Sequence, residues 1–288
     1  MGYYMGCGSQ INESQLETYE KTGHYVAEPK CDGQWSICRS AFRVQKFHSR
    51  YMKPQAFGVD FPRLPEGTWI VGELGIGQQE AVKRQKEIGH EFMDVFDVLR
   101  IEGKDVTQWD DNDRRRVLFD VWDKWPQELQ EWFRLVPRWD SRFRKHFKEQ
   151  DEGLVLKRVG DRTAHFYVCD SLNPHWIKVK REITVDMVVM DYELSNASSF
   201  VKPAAKRLIC GVYKDGKLQL MTRVGNMTAE MRYDIAANFY KYKGRVIEIV
   251  CNKVFESGAV RHPRFKCFRD DKMPEDCTWE ALKKLMEV

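Results

Sequence analysis

The sequence lacks any segment suited to entering a membrane or leaving the cell. No stretch of its 288 residues approaches the roughly 18 consecutive apolar residues that span a bilayer. The N-terminus, MGYYMGCGSQ, has no basic region followed by an apolar one, so it does not match a signal peptide. We therefore expect a cytoplasmic protein that makes no contact with a membrane.

Cysteine is sparse, and its spacing matches no known motif. The chain has 8 cysteines, and none forms a CxxC or CxxH pair. This pattern argues against a zinc knuckle or a redox motif and is typical of reduced intracellular thiols. Internal repeats and low-complexity tracts are also absent from the sequence.

The composition is that of an ordinary globular chain. Hydrophobic residues make up 42% and charged residues 31%, which is enough apolar side chain for a core and too little bias for a disordered protein. The length fits two domains of about 150 residues each. A net charge of +4 is compatible with a polyanionic partner without requiring one.

The two halves of the chain differ in pattern. Strand-like runs occur at residues 68–74, 92–99, 153–158 and 176–179. Residues 110–148 space their apolar side chains by three and four, with interruptions at Pro126 and Pro137, which predicts two or three short amphipathic helices.

Beyond residue 181 the signals are those of a small β domain. Residues 184–190 and 245–250 alternate, residues 213–217 predict a hairpin turn, and residues 228–241 predict a helix between the strands. This order is the layout of an OB-type barrel. We therefore predict an α+β protein with domains 1–181 and 182–288.

Six short motifs contain the residues suited to catalysis. The first is Glu28-Pro-Lys30-Cys-Asp32-Gly, where an extended strand would point Lys30 and Asp32 to the same side. Alone, this motif reads as an exposed ion pair before a turn. The other motifs follow in chain order: Val-Gly-Glu73-Leu, Phe96-Asp97, Glu152-Gly-Leu-Val-Leu-Lys157, Lys178-Val-Lys180 and the basic segment 261–272.

In this order and at these gaps the motifs resemble those of the ATP-dependent DNA ligases, a family of covalent nucleotidyltransferases, over residues 26–272. The resemblance implies an adenylation domain with antiparallel sheets, followed by a C-terminal OB-fold barrel. It also implies sealing of 3′-hydroxyl/5′-phosphate nicks through a lysyl-AMP intermediate, with ATP and Mg²⁺. The expected partner is nicked duplex DNA or an RNA/DNA hybrid, bound by a monomer.

The resemblance assigns the nucleophile and the groups around the phosphates. Lys30 matches the adenylylated lysine, since an amine can carry AMP to a 5′-phosphate through a phosphoramidate. Lys178 and Lys180 match the cations that favour the deprotonated amine and hold the α-phosphate. Arg269 and Lys272, in Arg-Asp-Asp-Lys, match residues that a mobile OB domain brings over the β- and γ-phosphates. That role implies domain closure about a hinge near residues 180–184.

The resemblance also assigns the nucleotide pocket. Glu28 matches the acceptor for the adenine amino group. Phe96 matches the aromatic residue that stacks on the base, with Phe92 as a second candidate. Arg50 and Glu73 match the pair that holds the ribose hydroxyls.

The metal assignment rests on two carboxylates. Because Mg²⁺ is usually bound through one or two carboxylates and the phosphates, Glu152 is the candidate ligand. Asp32 is expected to orient the lysine or a water bound to the metal.

The chain departs from the family pattern at two points. Trp35 occupies the position where the family has an arginine that contacts the nick phosphate, and we expect the ring to stack on a base or sugar, with Arg39 or Arg43 supplying charge. Only 29 residues precede Lys30, which predicts a minimal ligase of viral or bacterial type. The flat apolar ring of Trp35 beside the nick predicts that an RNA strand is accepted on at least one side.

Three other functions share parts of this pattern. An mRNA-capping guanylyltransferase uses the same lysine chemistry, but its fourth motif usually begins Asp-Gly where this chain has Glu152-Gly. An RNA ligase shares Glu-Gly and the paired lysines and generally lacks the OB domain. An inactive nucleic-acid-binding module is disfavoured because Lys30, Glu73 and Lys178 are all present.

Overall fold

The computed structural model describes residues 3–55, 61–76, 79–159, 166–195 and 203–286. The chain divides into two compact units, Met1–Arg181 and Glu182–Val288. Both mix helices with β-sheet. No helix of the described residues is long and apolar enough to cross a membrane.

The first unit contains short helices between many strands. Its elements are β1 (Met5–Ile11), α1 (Leu16–Lys21), β2 (Tyr25–Pro29), β3 (Gln34–Ala41), β4 (Val44–Ser49), β5 (Pro54–Gln55), β6 (Trp69–Leu74), α2 (Gln79–Ile88), β7 (Met93–Ile101), β8 (Lys104–Asp105), α3 (Asp111–Trp122), α4 (Gln127–Trp132), β9 (Phe133–Leu135), α5 (Phe143–Glu149), β10 (Gly153–Arg158) and β11 (Ser171–Lys180).

A four-stranded sheet in the order β1-β11-β10-β2 supplies one wall of the site. Strand β1 runs parallel to β11, and the other pairs are antiparallel. Because side chains alternate along a strand, the sheet has two different faces. Apolar residues such as Leu154 and Val179 pack on α1 and α5. Register pairs Glu28 and Lys178 with Val155, which places these three residues on the opposite face.

A second sheet has the order β5-β4-β3-β6-β7-β8, with β9 alongside β7. Helices α3 and α4 cover it through a core that includes Leu118, Leu129 and Phe133. A separate apolar cluster combines Trp35, Val71 and Leu99 of this sheet with Met5, Tyr167 and Trp176. Since Met5 and Trp176 belong to the four-stranded sheet, the two sheets pack against each other through this cluster.

The second unit is built around one antiparallel sheet. Its elements are β12 (Ile183–Leu194), β13 (Ala205–Lys214), β14 (Lys217–Val224), α6 (Ala229–Ala237), β15 (Val246–Cys251), β16 (Lys253–Val254), β17 (Val260–Arg261), β18 (Arg264–Phe268) and α7 (Trp279–Lys283). The strand order is β14-β13-β12-β15-β18, and β16 pairs with β17. The predicted hairpin turn is confirmed: Asp215 and Gly216 have φ values of 52° and 73°, as a type I′ turn requires.

The closed barrel expected for the second unit is not confirmed. In the described residues the sheet runs as an open path from β14 to β18. A single parallel bridge joins Gly225, just after β14, to Arg264 at the start of β18. At this bridge the Phe265 N–H donates to the Gly225 carbonyl at 3.0 Å, so the two edge strands touch without forming a ladder.

The local signals located several elements of the first unit. The runs at 68–74, 92–99 and 153–158 correspond to β6, β7 and β10, and the interrupted helical stretch corresponds to α3, α4 and α5. Strand β9 was expected to be helical. Helix α4 instead ends before Phe133, where the backbone adopts φ −113° and ψ 83°. The chain then continues as β9, which pairs with β7.

A buried ion pair holds α3 against β7. Arg114 Nε and Nη2 donate to the two Asp97 oxygens at 2.8 and 2.9 Å, and the side chains are 0% and 3% exposed. The attraction of Asp97 raises the pKa of Arg114 against the effect of burial. Removing one partner would leave the other charge buried without compensation.

We expect Arg114→Met to lower the free energy of unfolding of the first unit by about 3 to 5 kcal/mol, because the Asp97 carboxylate stays buried. Urea unfolding followed by tryptophan fluorescence measures this, since every tryptophan except Trp279 lies in the first unit. Arg116→Met, two residues away on α3, is the matched control. Its side chain is 74% exposed, so it should cost less than about 1 kcal/mol. Equal losses in the two variants would contradict a structural role for the buried pair.

Candidate nucleotide-binding and catalytic site

Lys30 lies where the chain passes from one sheet to the other. Residues 30–33 connect β2 to β3 without strand structure, so the expected extended strand carrying Lys30 and Asp32 is wrong. The Lys30 N–H donates to the Gly153 carbonyl at 2.9 Å. Gly33 lies against the Leu74 carbonyl, where a Cβ atom would overlap the oxygen. The glycine is therefore needed for a close approach between backbones.

The Glu152-Gly153 motif holds the lysine from the side of β10. Lys30 Nζ donates to Glu152 Oε2 at 3.2 Å, and Glu152 is 8% exposed. Gly153 has φ 101°, and a Cβ atom there would overlap the Val179 carbonyl. Two distant motifs are thus brought together as the sequence predicts, at the end of β10.

A cavity of about 300 Å³, which we call the central cleft, opens beside this pair. Its walls combine charged and aromatic side chains from both sheets. Among the predicted residues it is lined by Glu28, Lys30, Glu73, Phe96 and Lys178. Lys178 is the member of the lysine pair that lines the cleft. Lys180 lies at the end of β11, where it pairs in register with Gly153.

Aromatic rings form one wall of the central cleft. The Phe96 and Trp176 rings meet edge to face at a centroid distance of 6.3 Å. Lys157 Nζ lies 4.3 Å from the Trp176 ring centre and donates to the Phe96 carbonyl at 3.2 Å. Phe92, the second stacking candidate, is fully buried, and two arginine side chains lie over its ring. Phe96 is therefore the better placed of the two phenylalanines.

Glu28 is held in a buried ion network that motif reasoning missed. Its oxygens contact Arg138 Nη2 at 2.6 Å and Lys157 Nζ at 2.8 Å, and Arg138 also bridges to Asp111 at 2.7 Å. Burial alone raises the pKa of Glu28, but the attraction of Lys157 and Arg138 lowers it on balance. An adenine amino group would share these oxygens, each of which accepts two hydrogen bonds. The one available signal was Lys157, the last residue of Glu-Gly-Leu-Val-Leu-Lys.

Glu73 and Arg50 lie together on a second cavity of about 420 Å³, which we call the Arg50 cavity. Glu73 lines this cavity and the central cleft. Burial raises the pKa of Glu73 to about 8, in spite of the opposing attraction of Lys30. The Arg50 guanidinium lies 4.7 Å from the ring centre of Tyr51. The positive charge of Arg50 also acts to lower the pKa of Glu73, so the two predicted residues lie close together.

Trp35 is a packing residue between the sheets. Its side chain is only 9% exposed, and its ring meets Tyr4 edge to face at 5.4 Å. Trp35 also lines the central cleft and the Arg50 cavity, so stacking of its ring on a base or sugar stays a prediction. Arg39 packs against Tyr3 and His48, and Arg43 occupies the turn before β4 with φ 61°.

Asp32 and Glu152 share a third cavity of about 330 Å³. We call it the arginine cavity, because Arg84 and Arg134 also line it. Lys30 lines both this cavity and the central cleft. Among the described residues, no group of three or more His, Cys, Asp or Glu side chains is arranged to hold a metal ion. Asp32 and Glu152 are nevertheless the kind of ligand that Mg²⁺ takes in proteins, where one or two carboxylates are combined with water.

The Arg-Asp-Asp-Lys motif forms its own cluster in the second unit. Arg269 donates to both oxygens of Asp271 at 2.8 and 2.7 Å, which lowers the pKa of Asp271 to about 2. Asp186 on β12, which motif reasoning missed, pairs with Arg269 at 3.3 Å and also with Lys272. The hydrogen bond to Asp186 raises the pKa of Lys272.

Comparison with known proteins supports the motif reading. The chain is 25% identical over 216 residues to a DNA ligase of Methanothrix thermoacetophila. That match spans 67% of this chain and 38% of the relative's length. No family model matches the chain.

Solved structures share the fold. A Lig E DNA ligase superposes with a TM-score of 0.63 at 16% identity, covering 92% of this chain and 98% of that one. A mycobacterial DNA ligase D complexed with ATP gives a TM-score of 0.50 at 16% identity, covering 96% and 98%. The superpositions establish a common fold. With the sequence relative, they confirm the resemblance to ATP-dependent DNA ligases.

The raised pKa of Glu73 makes stability fall with pH. The folded protein keeps the Glu73 proton up to about pH 8, whereas the unfolded chain releases it near its ordinary pKa of 4.5. The free energy of unfolding should therefore decrease between these values, by at most about 1.4 kcal/mol per pH unit from this group. Glu73→Gln should remove that part of the slope in urea unfolding from pH 5.5 to 8.5.

Glu128→Gln on α4 is the matched control for this prediction, because Glu128 is exposed. Its unfolding curves should keep the wild-type dependence on pH. Parallel wild-type and Glu73→Gln profiles would show that Glu73 ionises as it does in the unfolded chain.

Proposed function

We propose that the protein is an ATP-dependent polynucleotide ligase that seals 3′-hydroxyl/5′-phosphate nicks in duplex DNA through a lysyl-AMP intermediate. One observation carries the proposal. The Lys30 amine lies 3.2 Å from the Glu152 carboxylate and lines an aromatic-walled cleft that the cation Lys178 also lines. An amine nucleophile, a carboxylate and a cation are the groups that adenylyl transfer to a lysine requires.

In the first step Lys30 Nζ attacks the α-phosphorus of ATP, forming a P–N bond as the bond to pyrophosphate breaks. Glu152 lies within hydrogen-bonding distance of the amine and orients it toward the phosphate. Lys178 stabilises the negative charge that develops on the α-phosphate. The AMP then passes to the 5′-phosphate of the nick, and attack by the 3′-hydroxyl releases it.

The walls of the cleft suit adenosine. Phe96, which lines the cleft, provides the stacking surface for the base, worth about 1 to 3 kcal/mol. Glu28 receives the adenine amino group, and Arg50 and Glu73 hold the ribose hydroxyls. The mycobacterial ligase D structure, which shares this fold, is described with bound ATP, and this supports ATP as the donor.

Mg²⁺ would be held by Glu152 and Asp32, which line the same cavity beside Lys30. Bound there, the ion supplies charge neutralisation for the phosphates. Oxygen ligands from one or two carboxylates match its usual protein environment.

The second unit, residues 182–288, is the proposed OB-fold domain, and residues 1–181 are the adenylation domain. The strand order β14-β13-β12-β15-β18 and the bridge from Gly225 to Arg264 support the barrel assignment. Arg269 and Lys272 orient the leaving pyrophosphate when the OB domain closes. Closure requires these cations to exchange Asp186 for phosphate oxygens, about a hinge at residues 180–184.

The proposed substrate is a nicked duplex, bound by a monomer inside the cell. The relative from Methanothrix and the Lig E structure are both DNA ligases, which favours DNA on both sides of the nick. Acceptance of RNA stays a proposal. Nicked duplexes with DNA or RNA on each side, incubated with ATP and Mg²⁺ and resolved on a denaturing gel, decide the strand preference.

Lys30→Ala should abolish self-adenylylation, because the amine that forms the P–N bond is gone. Intact-mass spectrometry after incubation with ATP and Mg²⁺ should show the mass of one AMP added to the wild type and none to the variant. GTP should give no adduct with either protein.

Lys21→Ala, an exposed lysine paired with Glu17 on α1, is the control and should gain AMP as the wild type does. An AMP adduct on Lys30→Ala would identify another nucleophile. Labelling of the wild type by GTP would favour the capping alternative.

Arg269→Ala should slow self-adenylylation far more than sealing of a nick that already carries AMP, because pyrophosphate leaves only in the first step. A loss of roughly 10- to 100-fold is expected from removing one charge-assisted contact to phosphate. Rates of AMP-adduct formation and of sealing on a pre-adenylylated nick measure the two steps. Equal losses in both assays would rule out a role confined to the leaving group.

A further inference from the structure

Two arginines far apart in sequence share one carboxylate at the edge of the arginine cavity. Arg84 on α2 donates to the two Asp94 oxygens at 3.1 and 3.4 Å. Arg134 on β9 contacts the same carboxylate at 3.2 Å. The Asp94 side chain is only 6% exposed, so this carboxylate is a fixed anchor for both cations.

A shared aromatic ring fixes the planes of the same arginines. The guanidinium carbons of Arg84 and Arg134 lie 4.8 and 4.5 Å from the centre of the Phe92 ring. Phe92 is fully buried, and it packs against Gly75, where a Cβ atom would overlap the ring. Both cations are therefore held by a carboxylate and a ring that cannot move independently of the core.

This arrangement holds one more positive charge than its anchor neutralises. Two guanidiniums beside one carboxylate leave a net charge of +1, and burial together with the charge of Arg84 lowers the pKa of Arg134 against the attraction of Asp94. The contacts to Asp94 use two nitrogens of Arg84 and one of Arg134, whereas each guanidinium has five N–H donors. With side chains 34% and 33% exposed, donors remain accessible for an anion.

The position of the pair relates it to Lys30. Arg84, Arg134 and Lys30 all line the arginine cavity, and Lys30 also lines the central cleft. The cavity is lined by five carboxylates. Glu152 is paired with Lys30, Asp94 with the arginines and Glu149 with Lys145. Of the other two, Asp32 is assigned to Mg²⁺ and Asp151 is exposed to solvent. A group bound by the arginine pair would therefore lie in the cavity next to the one assigned to AMP.

We propose that Arg84 and Arg134 form a phosphate-binding subsite, distinct from the α-phosphate position of ATP, in the arginine cavity. The chemistry fits a phosphate with two or more charged oxygens, because paired guanidiniums recognise such oxygens by several parallel hydrogen bonds. Two phosphates meet this description in the proposed reaction, pyrophosphate and the 5′-phosphate of the nick. The subsite rests on the proposed function for its role, and its affinity for phosphate can be measured without it.

The binding test uses isothermal titration of the whole protein with sodium pyrophosphate and, separately, with a 5′-phosphorylated nicked duplex. Arg84→Met and Arg134→Met each leave one arginine on Asp94, which preserves the anchor. Each should weaken binding of one of the two ligands by roughly 10- to 100-fold, the value of a lost charge-assisted hydrogen bond. Arg116→Met, with its exposed side chain, is the control and should bind both ligands as the wild type does.

The kinetic test identifies the source of the phosphate. If pyrophosphate is the ligand, the variants need more pyrophosphate to reverse adenylylation and seal a pre-adenylylated nick normally. If the nick phosphate is the ligand, they form the AMP adduct normally and transfer AMP to the nick at least about 10-fold more slowly.

Unchanged binding of both ligands in the Arg84→Met, Arg134→Met double variant, with cooperative unfolding retained, would overturn the subsite. If the double variant does not fold, the single variants are tested instead. Unchanged binding of both ligands by both single variants would also overturn the subsite. A wild type that binds pyrophosphate through these arginines and never gains AMP would refute the proposed function and leave the subsite standing.

Discussion

A buried network of charges between a sheet and a helix constrains the whole first unit. Glu28 on β2 contacts Lys157 on β10 and Arg138, and Arg138 reaches Asp111 at the start of α3. Each of these groups would be costly to bury alone, so they are stable only when all are present and paired. Because Glu28 and Lys157 lie on the four-stranded sheet and Asp111 lies on α3, pairing them through Arg138 ties this sheet to α3. The network thereby holds Glu28 and Lys157 in place in the wall of the central cleft.

The same network explains why the cleft has both polar and aromatic character. Lys157 is held by Glu28 and also lies over the Trp176 ring, so one cation joins the buried carboxylate to the aromatic wall. Lys30 is placed differently, by the backbone of Gly153 and the side chain of Glu152. A rigid pocket for the base therefore adjoins a nucleophile that is about one quarter exposed. Buried ion pairs and rings thus hold the proposed base pocket, whereas a backbone hydrogen bond and one carboxylate hold the proposed nucleophile.

Arginines of the first unit are held by aromatic rings, with a carboxylate added for some of them. Arg39 and Arg100 lie over Trp69, whereas Arg84 and Arg134 lie over Phe92 and share Asp94. An aromatic face attracts a cation without neutralising it. Charges held in this way keep their attraction for an external anion, which suits a protein whose proposed substrates are polyphosphates. The buried Trp35 contributes packing instead, so positive charge must come from these other positions.

The sequence by itself determined the local elements and the reactive motifs. Alternating runs located β6, β7 and β10, and the order of motifs singled out Lys30 and Glu152, whereas the contact between these two side chains came only from the fold. Only the tertiary structure placed β1 and β9 in their sheets and buried Trp35. It also paired Arg138 with Glu28, 110 residues away. Periodicity reports which face of a segment is buried. It carries no information about which distant side chain meets that face, because that depends on how the sheets and helices pack.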